Sequence, residues 1–189
     1  MGYFPAFVQL QHKKVLLVGG GKIALEKLER LLDFTLEISI IALEISDAME
    51  SLAQKHQLKI EKRAYKKGDI EAMAMVVVAV DDIGLQAAIY EESKQYKCLC
   101  NAVDSVEYCD FIFPSYIKEE NLTIAISTGG ASPAFAKHFK HYLKRLIPSN
   151  VSSFLEEMKT LRKSLPKGKE RMKTLDQKAQ DFIKACDNG

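Results

Sequence analysis

The stretch Val15-Leu16-Leu17-Val18-Gly19-Gly20-Gly21-Lys22-Ile23-Ala24 joins an uninterrupted apolar run to three glycines and the start of a helical pattern. It reads as a buried strand, a tight turn and a helix, the Gly-x-Gly-x-x-Gly/Ala arrangement that holds a dinucleotide. Gly19 allows the turn, and Gly21 lets the backbone approach a pyrophosphate. Ala24 is small enough for the helix to pack closely on the strand. The phosphates would sit at the helix N-terminus, where unpaired N–H groups and the positive end of the dipole point outward.

Outward from that turn, strands and helices alternate. Lys22 to Asp33 is amphipathic, Leu36 to Leu43 is an Ile-rich strand, and Ser46 is a helix N-cap for a run to about His56. Leu58 to Arg63 alternates as a third strand. Met75 to Val80 is an apolar run suited to a strand buried on both faces. A helix over Asp82 to Gln95 and a strand over Lys97 to Val103 complete a parallel sheet wrapped by helices, an α/β Rossmann-type fold. The pattern then changes. Phe111 to Tyr116 and Leu122 to Ser127 flank a polar segment, Lys118 to Asn121, and predict a hairpin; Ser132-Pro133 starts a helix that ends before Pro148. Two further helices are expected over Val151 to Leu165 and Lys169 to Ala185. The expected organisation is a nucleotide-binding domain over 1–110, a hairpin-plus-helix dimerisation module over 111–148, and a helical C-terminal tail over 149–189. A hairpin module of that size buries too little by itself, which predicts a homodimer.

Composition fits a globular protein, with 47% hydrophobic and 28% charged residues. No apolar run reaches the ~18 residues of a membrane span, and no signal peptide is legible at the N-terminus, so a cytoplasmic protein without a membrane partner is expected. Four cysteines lack zinc-site spacing, and buried thiols are expected; no metal site is assigned. Residues 137–189 hold 13 Lys/Arg against 6 Asp/Glu, whereas the preceding residues carry an acidic excess. That basic end implies an anionic partner, of which Lys137, Lys140, Lys144 and Arg145 form one stripe. No helix-turn-helix or RNA-binding signature accompanies it, so nucleic acid is not the expected partner. His138 and His141 read as surface histidines. The strand before Glu44 ends about 20 residues beyond the glycines, where an acidic side chain meets the ribose hydroxyls of NAD. No Arg or Lys follows directly to receive a 2′-phosphate, which favours NAD over NADP.

Three later segments are more specific: Cys100-Asn101-Ala102-Val103-Asp104, Cys109-Asp110-Phe111-Ile112-Phe113-Pro114-Ser115, and Ser127-Thr128-Gly129-Gly130-Ala131-Ser132-Pro133. With the Gly19–Ala24 turn and the opening Phe4-Pro5-Ala6-Phe7-Val8-Gln9-Leu10, they resemble the precorrin-2 dehydrogenase/sirohydrochlorin ferrochelatase family, over most of residues 1–150. The resemblance implies NAD-dependent oxidation of precorrin-2, a tetrapyrrole, to sirohydrochlorin, and in some members insertion of Fe²⁺ to give sirohaem. It implies a homodimer with cofactor contacts at Gly21, Lys22, Ile23, Leu43 and Glu44; Gly19, which makes the turn, and Asn101, in the fifth strand, complete the expected cofactor site. It places the functional aspartate on Asp104, where a carboxylate at the C-terminal edge of the sheet suits a general base. Ser127, Gly129, Gly130 and Ser132 belong to a glycine-rich loop whose backbone N–H groups are expected to bind substrate carboxylates. Two positions depart from the pattern. Val80 stands where Thr is frequent, and Thr128 aligns with a serine that is phosphorylated in some relatives. Two other readings use the same glycine turn: an NAD(H)-binding redox sensor without catalysis, and a different small NAD-dependent reductase. The first has no use for the spaced motifs, and the second lacks an evident Tyr/Lys or His acid–base pair.

Overall fold

The computed structural model describes residues 2–187. They divide into two compact units, Tyr3–Ile112 and the chain from Phe113 onward. The first unit carries β1 (Val15–Val18), α1 (Lys22–Leu32), β2 (Ile38–Ala42), α2 (Asp47–Lys55), β3 (Lys59–Lys62), β4 (Met75–Val78), α3 (Ile83–Tyr96) and β5 (Leu99–Ala102). The five strands form one parallel sheet in the order β3-β2-β1-β4-β5. The chain runs one way along the sheet from β1 to β3 and the other way from β4 to β5. Right-handed crossovers therefore put α1 and α3 on opposite faces, and the reversal between β1 and β4 opens a crevice at the C-terminal strand ends.

Burial explains the apolar runs. All four residues of β1 and all four of β4 are buried. On the α3 face, Leu16, Val18, Val76, Val78, Cys100 and Ala102 pack with Ile89, following the two-residue pleat. On the other face α1 buries Ala24, Leu28 and Leu31. Ser46 begins α2 as expected, but its side chain makes no cap bond. Asp82 does cap α3, accepting from Leu85 N at 2.9 Å. Lys97 ends α3 in the left-handed region (φ 54°), so the last strand starts at Leu99 rather than Lys97.

In the second unit, β6 (Ser115–Glu119) and β7 (Leu122–Ile126) form an antiparallel pair, followed by α4 (Pro133–Leu146), α5 (Val151–Ser164) and α6 (Lys169–Asp187). The hairpin differs from the sequence expectation. Lys118 and Glu119 lie inside the first strand, paired with Thr123 and Leu122, and the turn is only Glu120-Asn121. Lys118 is exposed and Glu119, partly buried, pairs with Lys144 at 3.2 Å, so their polarity belongs to a ribbon with one open face rather than to a loop. Phe111 to Pro114, read as strand from its apolarity, is a connecting segment. Among the cysteines, Cys98 and Cys100 are buried and Cys109 is partly so, but Cys186 is exposed on α6, against the expectation of a buried thiol. Among the described residues no helix is long and apolar enough to cross a membrane.

Candidate functional site

The register of the sheet builds the site. Val18 stands beside Ile41 of β2 and Val78 of β4, and Val78 beside Ala102 of β5. The glycine turn, Leu43-Glu44, Ala79-Val80 and Val103-Asp104 therefore leave the sheet along one edge. Backbone bonds continue the pairing there: Gly19 N donates to Ile41 O at 2.9 Å, Ala79 N to Val18 O at 2.7 Å, and Val103 N to Val78 O at 2.9 Å.

The three glycines have different tasks. Gly19 has φ 126°, and a Cβ on it would fall 2.2 Å from Ala79 O. A Cβ on Gly20 would fall 2.0 Å from Glu44 O, because the loop after β2 closes on this turn and Ser46 N donates to Gly20 O at 3.0 Å. Gly21 is extended (φ −84°, ψ −168°), and its Cβ would meet nothing within 4 Å. So Gly19 and Gly20 are fixed by the fold's own packing, while Gly21 borders open space. Gly20, for which sequence reading had no assignment, carries the tightest contact. Gly21 is the N-cap of α1, which has no side-chain cap bond and no acidic residue in its first turn. By contrast α2 has Asp47 and Glu50 there. An open glycine before an uncapped helix N-terminus, with Lys22 exposed beside it, suits the pyrophosphate of a dinucleotide. Leu43 and Glu44 are exposed just past β2, at the position of a ribose contact.

Asp104 is exposed in the turn that follows β5, with φ 64°, a conformation Asp and Asn tolerate better than most residues. The turn is held from beneath. Gln86, buried in the first turn of α3, donates through Nε2 to Val80 O at 2.7 Å and Val103 O at 3.3 Å, and its Oε1 accepts from Ser105 Oγ. Beyond a single 3₁₀ turn at Val106–Tyr108, the chain returns along β5, and Cys109 forms an antiparallel bridge with Asn101. Asn101 is buried, and its amide donates to Phe111 O at 2.8 Å and Cys109 Sγ at 3.4 Å. Its two N–H donors thus anchor the loop carrying Asp104. Asp110 accepts from Cys100 N at 2.9 Å and pairs with Lys94, which satisfies the edge strand. Sequence reading does not single out Gln86, because a lone polar residue in a helix turn carries no visible role, and it places Cys109 in a motif without showing that it bridges to Asn101. Burial pushes the Cys98 thiol up to about 11 and the Cys100 thiol up to about 12, so both are inert packing groups.

The Ser127–Ser132 loop lies in the second unit and is stapled internally. Gly129 N donates to Ser127 Oγ at 3.1 Å, Ser132 N to Thr128 Oγ1 at 3.0 Å, and Ala131 N to Thr128 O at 3.1 Å. Ser132 Oγ caps α4 by accepting from Phe135 N at 3.1 Å. The N–H groups of Gly129, Ala131 and Ser132, three of those expected to bind substrate carboxylates, already have partners. Gly130 N–H has no partner among the described residues, and the hydroxyl protons of Ser127, Thr128 and Ser132 are further donors, since each oxygen serves as an acceptor. His138 and His141 join no cluster of metal-ligating side chains among the described residues.

Fold, switch-point crevice and open glycine turn together define a dinucleotide-binding protein of Rossmann type. A family model described as "Putative NAD(P)-binding" matches residues 6–115, and one described as "Sirohaem biosynthesis protein central" matches residues 119–146. The chain belongs to the first family and carries the sirohaem-biosynthesis segment directly after it, in line with the motif resemblance. "Siroheme synthase 1" of Serratia proteamaculans is 34% identical over 156 residues, which are 82% of this chain and 33% of that protein. "Siroheme synthase" of Pseudoalteromonas atlantica is 35% identical over 152 residues, 80% of this chain and 33% of that one. The matched region spans about one third of the length of these curated relatives. A solved structure described as "SirC, precorrin-2 dehydrogenase" shares the fold with TM-score 0.75 at 23% identity, covering 99% of this chain and 100% of that chain.

Proposed function

We propose that this protein oxidises precorrin-2 to sirohydrochlorin with NAD⁺, and that it also inserts Fe²⁺ into the product. The observation that carries the reading is Asp104, exposed at the same sheet edge as the open Gly21, in a chain similar to siroheme synthases over four fifths of its length. Oxidation of precorrin-2 removes a hydride from a ring-linking carbon and a proton from the macrocycle. Bound NAD⁺ supplies the hydride acceptor. Gly21, Lys22 and Ile23 hold its pyrophosphate end, on the turn that Gly19 makes, and Leu43 and Glu44 its ribose, with Asn101 keeping the neighbouring loop in place. Asp104 takes the proton as general base, worth typically ~10²–10⁴-fold in rate. In chelation Fe²⁺ is a substrate that displaces two pyrrolic protons; the same carboxylate accepts one and solvent water takes the other. The hydroxyls of Ser127 and Ser132, on the loop shaped by Gly129 and Gly130, donate to the substrate's carboxylates.

A homodimer is part of the same reading. Phe135, Phe139 and Tyr142 stack along α4 with centroid separations of 5.3 and 6.1 Å, and Phe135, Tyr142 and Leu146 are exposed. Their spacing puts an apolar stripe on one helix face, which a second copy covers. Four free cysteines support a reducing, cytoplasmic setting. The test is incubation with enzymatically prepared precorrin-2 and NAD⁺, then Fe²⁺, following the absorption spectrum in stages. Sirohydrochlorin after the first addition supports the reading; dinucleotide binding without turnover favours the redox sensor.

A further inference from the structure

The basic C-terminal end of the sequence implies an anionic partner, but the stripe on α4 is largely engaged within its own unit. Lys144 pairs with Glu119 at 3.2 Å, Lys140 lies over the Tyr116 ring at 5.8 Å, and Arg145 over the Tyr142 ring at 5.9 Å. Uncompensated cations collect elsewhere. Where α5 turns into α6, Lys159, Arg162, Lys163, Lys167 and Arg171 line an open hollow of about 510 Å³ with Leu165. Among the described residues no Asp or Glu lines it, and of the five cations only Lys159 reaches a carboxylate, Glu156 at 3.3 Å. Lys159, Arg162 and Lys163 stand three and four residues apart, so α5 presents them on one face. The turn brings Lys167 and Arg171 to the same place. Like charges gathered in this way repel one another, and an anion between them removes the repulsion.

Arg171 is the fixed member of the group, partly buried where the other four cations are exposed. Its Nη1 donates to Arg162 O, in the last turn of α5, at 3.3 Å. Its Nε is buried and has no hydrogen-bond partner among the described residues. A buried donor left unpaired is costly, and more so on a charged group. A guanidinium grips a phosphate or carboxylate through two parallel N–H bonds, and Nε belongs to one of the edges that can do so.

We propose that the α5–α6 hollow binds an oxyanion of two or more charges, phosphate or carboxylate in kind. Arg171 is its anchor, turning the Nε edge toward the ligand, and Arg162, Lys163 and Lys167 surround it with charge. A hollow of this volume fits a compact organic anion, whereas a membrane surface or a duplex needs a broad, open face. The hollow lies wholly in the second unit, and its ligand is independent of the chemistry proposed for Asp104.

The test uses the intact protein saturated with NAD⁺, so that the glycine turn is already filled. Calorimetric titration with pyrophosphate or citrate gives saturable binding that weakens as salt is added. Arg171→Met weakens it at least about tenfold, as expected for loss of a charge-assisted pair. Lys163→Gln combined with Lys167→Gln, which leaves Arg171 in place, weakens it about threefold or more. Lys173→Gln removes one charge from α6 outside the hollow and changes affinity by less than about twofold. The Arg171 Nε–H resonance moves when either anion is added. Tighter binding of pyrophosphate identifies a phosphate ligand, and tighter binding of citrate a polycarboxylate. Absence of saturable binding, equal losses in Arg171→Met and Lys173→Gln, or binding confined to duplex DNA or anionic vesicles overturns the proposal.

Discussion

The chain has two glycine-rich turns before helices, and they owe their glycines to different causes. At Gly19 and Gly20 an added Cβ would press on the backbone carbonyls of Ala79 and Glu44 at 2.2 and 2.0 Å. At Gly129 and Gly130 it would meet nothing within 4 Å, but the backbone has φ 61° and 90°. The first turn is squeezed between the loops that follow β2 and β4, and only Gly21 is left facing open space. The second is shaped by its own dihedrals and by hydroxyl staples from Ser127, Thr128 and Ser132. Glycine content alone hides that difference. Close packing makes the first turn a rigid cradle for a phosphate. The second is a loop whose glycines set its path and whose hydroxyl oxygens hold it in shape.

The largest effect tests the packing of the first turn. Gly20→Ala has no room without displacing the loop after β2, so a loss of about 3 kcal/mol or more is expected in denaturant unfolding. Gly21→Val, one residue on, should cost about 1 kcal/mol, mostly from the weaker helix cap, yet reduce NAD⁺ affinity at least about tenfold in calorimetry. Near-equal stability losses in the two variants would erase the distinction between the squeezed and the open glycine.

Next comes chemistry at the same edge. Asp104→Asn keeps a residue that accepts φ 64° and removes the basic carboxylate. Ala there would add backbone strain and confuse the result. Sirohydrochlorin formation should fall by ~10²-fold or more with NAD⁺ binding unchanged. If chelation uses the same group, iron insertion declines with it. Full activity in both assays would reduce Asp104 to a turn residue.

These tests address the part of the molecule that the sequence made most legible. The parallel sheet could be read because β1 and β4 are buried on both faces and so are apolar without a break. The edge positions followed, since Gly21, Glu44 and Asp104 each come just after a strand. What could not be read depends on contacts between distant residues. The collision at Gly20 comes from the Glu44 carbonyl, and the anchoring of the Asp104 turn from Gln86 and Cys109. The hairpin's strands start and end elsewhere than the apolar runs do for a related reason. An exposed ribbon tolerates Lys118 and Glu119 in a strand, and a connecting segment is free to be apolar at Phe111–Phe113.

Glu44 sharpens the comparison at intermediate size, since its backbone and side chain serve different ends. The carbonyl walls in Gly20 whatever the side chain is, so Glu44→Ala should leave stability within about 0.5 kcal/mol, as for an exposed loop position. The side chain is exposed beyond β2, and its charge would repel a 2′-phosphate. The ratio of NADP⁺ to NAD⁺ affinity, measured by paired calorimetric titrations, should rise by about tenfold. A wild-type protein that already prefers NADP⁺ would remove Glu44 from the ribose site.

The smallest effect is expected at Gly130. Its left-handed backbone (φ 90°) disfavours any other residue, but an added methyl group has free space around it. Gly130→Ala should therefore cost only the dihedral strain, about 1–2 kcal/mol, seen as a lowering of Tm by a few degrees. Cofactor binding, which belongs to the other turn, should not change. Substrate KM should rise, because the loop's path sets where Ser127 and Ser132 present their hydroxyl protons. A loss as large as that of Gly20→Ala would mean that the second turn, too, is packed against a neighbour, and the contrast between the two would fail.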